Sequence, residues 1–403
     1  MRRLWIVFVG LVASVDSAMA HSGVGSRESN EPTYHHDVSR IVRDRCESCH
    51  REGGAAPFAL STYEQVSGRK RMLKWAVESG AMPPWFAAEG SGPWSNDRSL
   101  SEGERADLLA WIDGDALEGD PSDAPPPREW PAGWTIGEPD HVFAMGESFR
   151  VPAEGVIDYQ YFWVKTDFPE DRWVRALEVR PGAPEVVHHV LVLSAVSEEK
   201  PPVGPNEGLD GFFATTVPGQ PGTVFPEGHA KRLPAGAWLK FQMHYTPNGT
   251  AQVDRTELGL VFADGPVEHE VRTASAHNNT FGIPPGAFRH EVFGEYTFER
   301  PARLTGFFPH THARGVSFRY DLRHPDGRTE PVLDIPAYDF NWQLHYQLAE
   351  PLEVPEGAVL RATAWYDNTS DNPANPDPTA RVYFGAQIFE EMMIGYFNWT
   401  AAR

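Results

Sequence analysis

The sequence predicts a multidomain protein in which a small all-α domain precedes two all-β domains. In residues 34–117 apolar side chains recur at helical spacing, whereas from about residue 136 to the end they alternate with polar ones between Pro and Gly turns. Residues 118–135 combine prolines with acidic residues, a composition that cannot bury a core and predicts a linker. A chain of 403 residues is long enough for this organisation.

The first 33 residues are expected to lie outside these domains. Arg2 and Arg3 precede an apolar run at 4–13, and Ala18-Met19-Ala20 offers a small-residue cleavage site. This pattern predicts a secretory signal over 1–20, too short to span a bilayer, followed by a flexible segment at 21–33. No later run approaches the length of a transmembrane helix, so we expect a periplasmic or secreted bacterial protein without an integral membrane span.

The helical domain is predicted over 34–117. Val38, Ile41 and Val42 form one apolar face, and Ser61-Thr62-Tyr63-Glu64 predicts a capping box before a helix at 62–79. Ser101-Glu102-Gly103-Glu104 predicts a second capping box, which opens a terminal helix.

The two cysteines of the chain both lie in Cys46-Glu47-Ser48-Cys49-His50. This C-x-x-C-H pattern is the attachment motif of a c-type haem, in which the thiols bind the porphyrin and the histidine binds the iron. A zinc half-site would need further ligands, and a redox disulfide would need a βαβ context that the sequence does not show. We therefore expect one covalent haem c at Cys46, Cys49 and His50.

The second axial ligand of this haem is predicted to be a methionine. A helix, C-x-x-C-H, loops and a terminal helix resemble a class I cytochrome c domain, whose distal ligand is usually a methionine on a loop. Met82 fits because Pro83 and Pro84 forbid a regular helix there. Met72, inside the expected helix, is the competitor, and His35 and His36 are weaker candidates.

The remainder of the chain is predicted to form two successive β-sandwiches, over 136–272 and 273–403. Pro325-Asp326-Gly327 predicts a hairpin turn. The expected strands are 159–164, 173–179, 186–193, 238–245, 257–262, 315–322, 358–365 and 382–388.

Histidines occupy patterned places in these strands. His188 and His189 interrupt an apolar strand, and neighbouring side chains on a regular strand point to opposite faces, so one ion could bind both only where the strand twists, bulges or ends. His244 closes another strand, and His310 and His312 form an H-x-H pair. Any one of them alone could be an ordinary core or surface residue. Together with a thioether, imidazole ligands suit copper.

The segment from about 136 to 403 resembles the copper type II, ascorbate-dependent monooxygenases, such as the peptidylglycine α-hydroxylating and dopamine β-monooxygenases. That family has two β-sandwich domains with one copper each. The first copper takes an adjacent histidine pair and a later histidine in Gln-x-His-Tyr, which match His188, His189 and His244, with Gln242 in the glutamine position.

The second copper of the family takes both histidines of His-Thr-His and a methionine after an acidic pair. These match His310, His312 and Met392, with Met393 as the alternative. The family's tyrosine four residues later is retained as Tyr396. Phe308 and Ile394 replace an arginine and an asparagine of the peptide-acting members, which argues against a peptidyl-glycine substrate and favours a less charged one.

The resemblance implies a monooxygenase that hydroxylates an sp³ C–H bond of a small organic substrate with O2. The copper of His310, His312 and Met392 would activate dioxygen, and the copper of His188, His189 and His244 would store an electron. We expect the haem to relay electrons to the first copper and then to the second, from an ascorbate-like reductant or a redox protein.

Other function classes stay open. The ligand set also suits a non-catalytic periplasmic electron-transfer or copper-binding protein, and cleavage after Ala20 would leave His21 as an N-terminal copper chelate. A structural adhesion module is disfavoured by the histidine clusters. The net charge of −21 without basic runs argues against nucleic acid and anionic membranes as partners.

Overall fold

The computed structural model describes residues 31–131, 133–204 and 206–402. The expected signal segment, its cleavage site and His21 lie outside the described residues. Within the described part of the chain, no helix is both long and apolar enough to cross a membrane.

The helices of the N-terminal segment are short. A π-helical turn, Tyr34–Val38, leads into the first of four α-helices, and a 3₁₀ turn, Pro121–Asp123, follows the last. The helices are α1 (Ser39–Arg45), α2 (Tyr63–Ser67), α3 (Lys70–Glu78) and α4 (Glu102–Asp113).

Local capping explains two of these helices. The capping box predicted at Ser101 is present, since its side chain accepts from the Glu104 backbone while Glu104 bonds back to the Ser101 backbone. The helix expected at 62–79 is divided into α2 and α3 around Gly68. Thr62, rather than Ser61, caps α2 by accepting from the Gln65 backbone.

The predicted separate all-α cytochrome c domain is wrong. The chain is mostly β, α4 is the longest described helix with 12 residues, and the long non-helical segment between α3 and α4 packs on the second β domain. The Trp85 ring lies 4.9 Å from that of Tyr346, Trp94 forms a β-bridge with Leu348, and the Ala88 backbone donates to Asp334. Trp85 and Trp94 pack against the core of the second β domain. The helical segment is therefore not a separate domain.

The twelve strands before residue 272 form the first β domain. They are β1 (His141–Ala144), β2 (Phe149–Val151), β3 (Gln160–Lys165), β4 (Arg172–Arg180), β5 (Val187–Val196), β6 (Ala214–Thr216), β7 (Thr223–Val224), β8 (His229–Leu233), β9 (Ala237–Tyr245), β10 (Gln252–Asp254), β11 (Glu257–Phe262) and β12 (His269–Glu270).

Two main sheets of this domain pack face to face. One has the order β1-β11-β4-β8-β12 with β7 beside β4, and the other has the order β3-β9-β5-β6. Apolar side chains from both sheets, among them Val179, Val190 and Phe241, fill the space between them. Strands β5 and β9, which carry or adjoin His188, His189 and His244, are neighbours in the second of these sheets.

The ten following strands form the second β domain. They are β13 (Arg272–Asn278), β14 (Gly282–Ile283), β15 (His290–Thr297), β16 (Ala302–His310), β17 (Gly315–Arg323), β18 (Thr329–Ile335), β19 (Tyr346–Val354), β20 (Val359–Tyr366), β21 (Val382–Tyr383) and β22 (Met393–Ala401). The expected strand at 382–388 is therefore reduced to two residues.

The second domain has two four-stranded main sheets, ordered β13-β22-β16-β19 and β15-β20-β17-β18. Phe307, Phe318 and Phe397 are among the buried residues between them. The predicted Pro325-Asp326-Gly327 turn joins β17 to β18, with Gly327 at a φ of 88°. Strand β16 ends at His310, which places the second histidine pair at the edge facing the first domain.

Candidate metal centre and haem cavity

A β-bulge brings His188 and His189 to one place. The register of β5 against β9 shifts between Val187 and His189, so that His189 lies opposite His244. Such an irregularity is what adjacent histidines need in order to converge. One ligand atom from each of His188, His189 and His244 lies within 4.8 Å of the others, an arrangement that can hold a metal ion.

Burial favours the neutral form of these imidazoles. Burial, followed by the neighbouring His310, lowers the pKa of His188 to about 4. Burial and the surrounding histidines hold the pKa values of His189 and His244 well below the ordinary range. Nε2 of His188 and Nδ1 of His244 are buried without a hydrogen-bond partner, so their nitrogen atoms are free to bind a metal.

Tyr159 lies against this triad and was not expected there. Its hydroxyl is 3.2 Å from Nε2 of His189, and its ring centroid is 5.0 Å from that of His244. It immediately precedes β3, so the pattern that predicted this strand could have placed Tyr159 near β9 but could not show that it reaches the histidines.

The second pair, His310 and His312, is oriented by its Nδ1 atoms. Nδ1 of His310 lies 2.6 Å from Oε1 of Gln343, and Nδ1 of His312 lies 3.2 Å from the Glu390 carbonyl. Both partners accept, so each Nδ1 carries the proton and each Nε2 is left as an electron-pair donor. Burial lowers the pKa of His310 to about 4 and that of His312 to about 3.

Glu391 supports the segment around the second pair. It is fully buried, and its carboxylate accepts from the backbone N–H groups of His312, at 2.8 Å, and Arg314, at 2.7 Å. Burial raises its pKa to about 8, although the two N–H donors and the Arg314 charge oppose this shift. Its structural role was not predicted, but the acidic pair before Met392 was the visible signal.

Met392 and Met393 lie in different surroundings. Met393 is buried in the core between the sheets of the second domain, whereas Met392 belongs to an apolar cluster with Phe308 and Ile394. Ile394 lies opposite His310 in the pairing of β22 with β16, and Met392 is two residues away on the same face. Of the two methionines, Met392 is therefore on the side of the histidines.

The two predicted histidine sites adjoin each other. The rings of His189 and His310 are 5.9 Å apart between centroids, although they come from different β domains. Phe340 packs between the sites: its ring stacks on His188 at 5.1 Å and lies 6.3 Å from His312. The sequence does not predict a role for Phe340 or Gln343. Both lie in an irregular segment in which apolar residues follow neither helix nor strand spacing.

Tyr396 lies beside Met392 in the same apolar cluster. Its ring is 5.2 Å from that of Phe212, which the first domain contributes and which also meets Phe308 edge-on at 5.3 Å. Burial raises the pKa of Tyr396 above its ordinary value. His345 stacks on Phe308 with 3.8 Å between ring centroids, and its Nε2 is buried without a hydrogen-bond partner among the described residues.

The C-x-x-C-H segment faces a cavity of about 350 Å³. Its cysteines are not joined in a disulfide, and burial raises the pKa of the Cys46 thiol to about 12. Nδ1 of His50 lies 3.1 Å from the Phe58 carbonyl, so Nδ1 carries the proton and Nε2 is available as a ligand atom. The cavity wall is mostly apolar and includes Cys46, Cys49, His50, Phe58, Leu60, Leu73, Met72, Met82, Leu100 and Leu108.

This chemistry fits a covalent haem. Two thiols, an imidazole with its Nδ1 fixed and an apolar wall supply the donor set that a c-type haem requires. Met72 and Met82 both line the cavity, the first from α3 and the second from the loop after it, as expected. His35 and His36 do not line it. They pair instead with Glu118, at 3.4 Å, and Asp37, at 3.0 Å.

Both β domains contribute to the wall of this cavity. Pro218, after β6, and Trp342, before β19, line it together with the helical segment. Trp342 immediately precedes Gln343, the partner of His310. Gly219 has a φ of 74°, and a Cβ there would collide with Sγ of Cys49, so the loop after β6 lies directly against Cys49.

Comparisons with known proteins identify no family for this chain. No family model and no curated protein matches the chain. Similar solved structures include the major capsid protein P2 from bacteriophage PM2, with 8% identity and a TM-score of 0.25 over 65% of this chain and 97% of that one. Another is that of the infectious bursal disease virus Gx strain, with 10% identity and a TM-score of 0.21 over 66% and 73%. Similarity at these TM-scores supports no conclusion.

Proposed function

We propose that this protein is an exported monooxygenase that carries one haem c and two copper ions and hydroxylates an sp³ C–H bond of a small organic substrate with O2. The resemblance to the copper type II monooxygenases suggests the reaction. The observation that carries the proposal is the convergence of five imidazoles next to a cavity with the donor set of a haem; four of them are buried and that of His188 is partly exposed. These imidazoles belong to His188, His189, His244, His310 and His312.

The donor chemistry supports copper. When bound, copper supplies one-electron redox chemistry and dioxygen activation, and haem c supplies further electrons one at a time. His188, His189 and His244 would hold one ion and His310, His312 and Met392 the other. Gln343 and the Glu390 carbonyl fix which nitrogen of His310 and His312 faces the metal.

The surroundings of Met392 determine what could react there. Phe308, Ile394 and Tyr396 from the second domain and Phe212 from the first form a buried apolar cluster around it. Such a wall excludes water and offers no charge to a substrate, so it favours an uncharged C–H group. Phe308 and Ile394, which depart from the peptide-acting enzymes, are both in this wall.

One short segment contacts both candidate centres. Trp342 lines the haem cavity, Gln343 bonds to His310, and Phe340 stacks on His188. The haem cavity therefore has a connection to each histidine site, rather than to the first site alone as the sequence suggested. This supports a relay of electrons from the haem side to the histidines.

The proposal is tested by cofactor content and turnover. Protein exported by a host that matures c-type cytochromes should contain one haem and two copper ions, and it should couple oxygen uptake to a hydroxylated product. Zinc in place of copper, or a chain without covalent haem, would contradict the proposal. A substrate screen should begin with small compounds that present an uncharged C–H group.

A second candidate is a non-catalytic electron-transfer or copper-binding protein. The observation that favours it is the packing of Phe212 against Phe308 and Tyr396, since these rings fill the space beside Met392. Such a protein would bind haem and copper and would transfer electrons, but oxygen uptake would yield no organic product with any substrate.

A further inference from the structure

A second cavity lies beside the haem cavity, with a volume of about 870 Å³. The helical segment, the linker and the first β domain each contribute cationic or aromatic side chains to its wall: Arg51, Arg98, Arg128, Trp130 and Arg180. We call it the arginine cleft. His188 lies on the same wall, so the cleft extends from the C-x-x-C-H segment to the histidine cluster.

Three hydrogen-bond donors in the arginine cleft have no acceptor among the residues that the structure describes. Nε of Arg51, Nη1 of Arg98 and Nε1 of Trp130 are buried without a partner. Each of these groups can donate but cannot accept. Buried donors are rarely left unpaired, and three of them around one cavity indicate a ligand with acceptor atoms.

The acidic residues of the cleft do not supply these acceptors. Oε2 of Glu178 already accepts from the backbone and hydroxyl of Thr135 and from the Ile136 backbone. Asp44 pairs with Arg43 at 3.1 Å and lies 3.6 Å from Arg128. Asp97 accepts from the Ser99 backbone, and Glu52 is exposed.

Trp130 holds two of the cations in place. The guanidinium of Arg51 lies 4.7 Å from the centroid of its ring, and that of Arg128 lies 5.3 Å from it. A guanidinium that stacks on an aromatic ring still presents its N–H groups at its edge, where they can donate hydrogen bonds to a planar anion. Arg98 is fixed separately, because its Nη2 donates to the Gly219 carbonyl at 3.0 Å.

We propose that the arginine cleft binds a small organic anion of the carboxylate or enediolate class, through Arg51, Arg98 and the indole N–H of Trp130. The role of this anion, as the electron donor or as the substrate, rests on the proposed function. Its binding does not, since the donors belong to the chain itself.

Calorimetric titration of the full-length protein tests the binding, with citrate as an anion inert to redox chemistry and ascorbate as an enediol anion. Charge-assisted hydrogen bonds are strong, so Arg51→Gln should weaken binding by about tenfold or more. Trp130→Phe keeps the ring and removes one neutral donor, which should weaken binding by about fivefold.

Trp163→Phe is the matched control, because its Nε1 is also buried without a partner but lies outside the cleft, on β3. It should bind both anions like the parent. Absence of binding to the parent, equal affinity in all variants, or binding that disappears entirely at physiological salt would overturn the proposal.

Reduction of the haem by ascorbate distinguishes the two roles of the anion, as electron donor or as substrate. If Arg51→Gln raises the half-saturating ascorbate concentration in step with the binding constant, the cleft takes the electron donor. If reduction is unchanged while citrate and ascorbate still bind through Arg51, the cleft takes an anionic substrate. A protein that lacks copper but retains the binding would contradict the proposed function and leave the anion site intact.

Discussion

Oε1 of Gln343 lies 2.6 Å from Nδ1 of His310 and fixes the proton on that nitrogen. Gln343→Leu should therefore lower the copper affinity of the His310 site about 10- to 100-fold, as loss of an orienting partner does at other metal sites. Competition with a copper chelator measures this. Gln347→Leu, an exposed neighbour on β19, is the control. A similar loss in both variants would contradict the orienting role.

Trp342 lines the cavity beside the C-x-x-C-H segment and is the sequence neighbour of Gln343. Trp342→Leu should slow haem oxidation several-fold when ferrous, copper-loaded protein is mixed rapidly with dioxygen, while Trp342→Phe should restore most of the rate. Trp75→Leu is the control, since Trp75 lines the same cavity from α3 and is 65% exposed. Equal slowing in both leucine variants would point to a general disturbance of the cavity.

Met392 and Met393 provide a paired test of the thioether ligand. Met392→Ile should abolish hydroxylation and leave the haem absorption spectrum unchanged. Met393→Ile changes a core residue with little change in volume, so it should cost about 1 kcal/mol of stability and preserve activity. Turnover that survives in Met392→Ile would show that the methionine is not a ligand.

Gly219 allows the loop after β6 to lie against Cys49. In Gly219→Ala the new methyl group would collide with Sγ of Cys49 at a φ of 74°, so covalent haem incorporation should fall sharply. Mass spectrometry of the exported protein measures the attached fraction. Gly236→Ala, at a φ of 58° with open space around it, carries the same backbone strain without the collision and should retain its haem.

Lys231 predicts a pH dependence of stability. It is buried, its Nζ donates to the Phe212 carbonyl and to Thr273, and burial lowers its pKa from 10.5 to about 7. Between pH 7 and 10.5 the unfolded chain binds this proton and the folded chain does not, so Lys231 contributes a free energy of unfolding that rises with pH in that window.

The expected slope is at most about 1.4 kcal/mol per pH unit. Denaturant unfolding at pH 7, 8 and 9 measures it. Lys231→Met should flatten the slope, whereas Lys165→Met, at a partly exposed site, should not. An unchanged slope in Lys231→Met would assign the dependence to other groups.

The spacing of apolar residues in the sequence predicts much of the secondary structure. The apolar alternation at 173–179, 238–245 and 257–262 corresponds to β4, β9 and β11, and the Ser101 pattern placed the start of α4. These features depend on neighbours in the sequence. The strand expected at 382–388 largely fails, because the residues that follow β21 form the turns leading to Met392 rather than a paired strand.

The candidate sites were predicted only as far as residue type reveals chemistry. His188, His189 and His244 converge because a bulge aligns β5 with β9, whereas the sequence indicated only that the strand must twist, bulge or end there. The contact of His189 with His310 depends on how two sandwiches dock, which no local pattern encodes. Phe340 and Gln343 lie in an irregular segment and were missed for the same reason.

The packing of Trp85 and Trp94 on the second sandwich has a consequence for gene architecture. A break at the Pro-rich linker would release a fragment that carries the C-x-x-C-H segment, with these two aromatic rings no longer in contact with Tyr346 and Leu348. It would also leave the complementary apolar surface exposed on the remaining fragment. Both surfaces would promote aggregation. The part with the C-x-x-C-H segment and the part with the histidine cluster are therefore expected to be inherited and produced as a single polypeptide rather than as exchangeable modules.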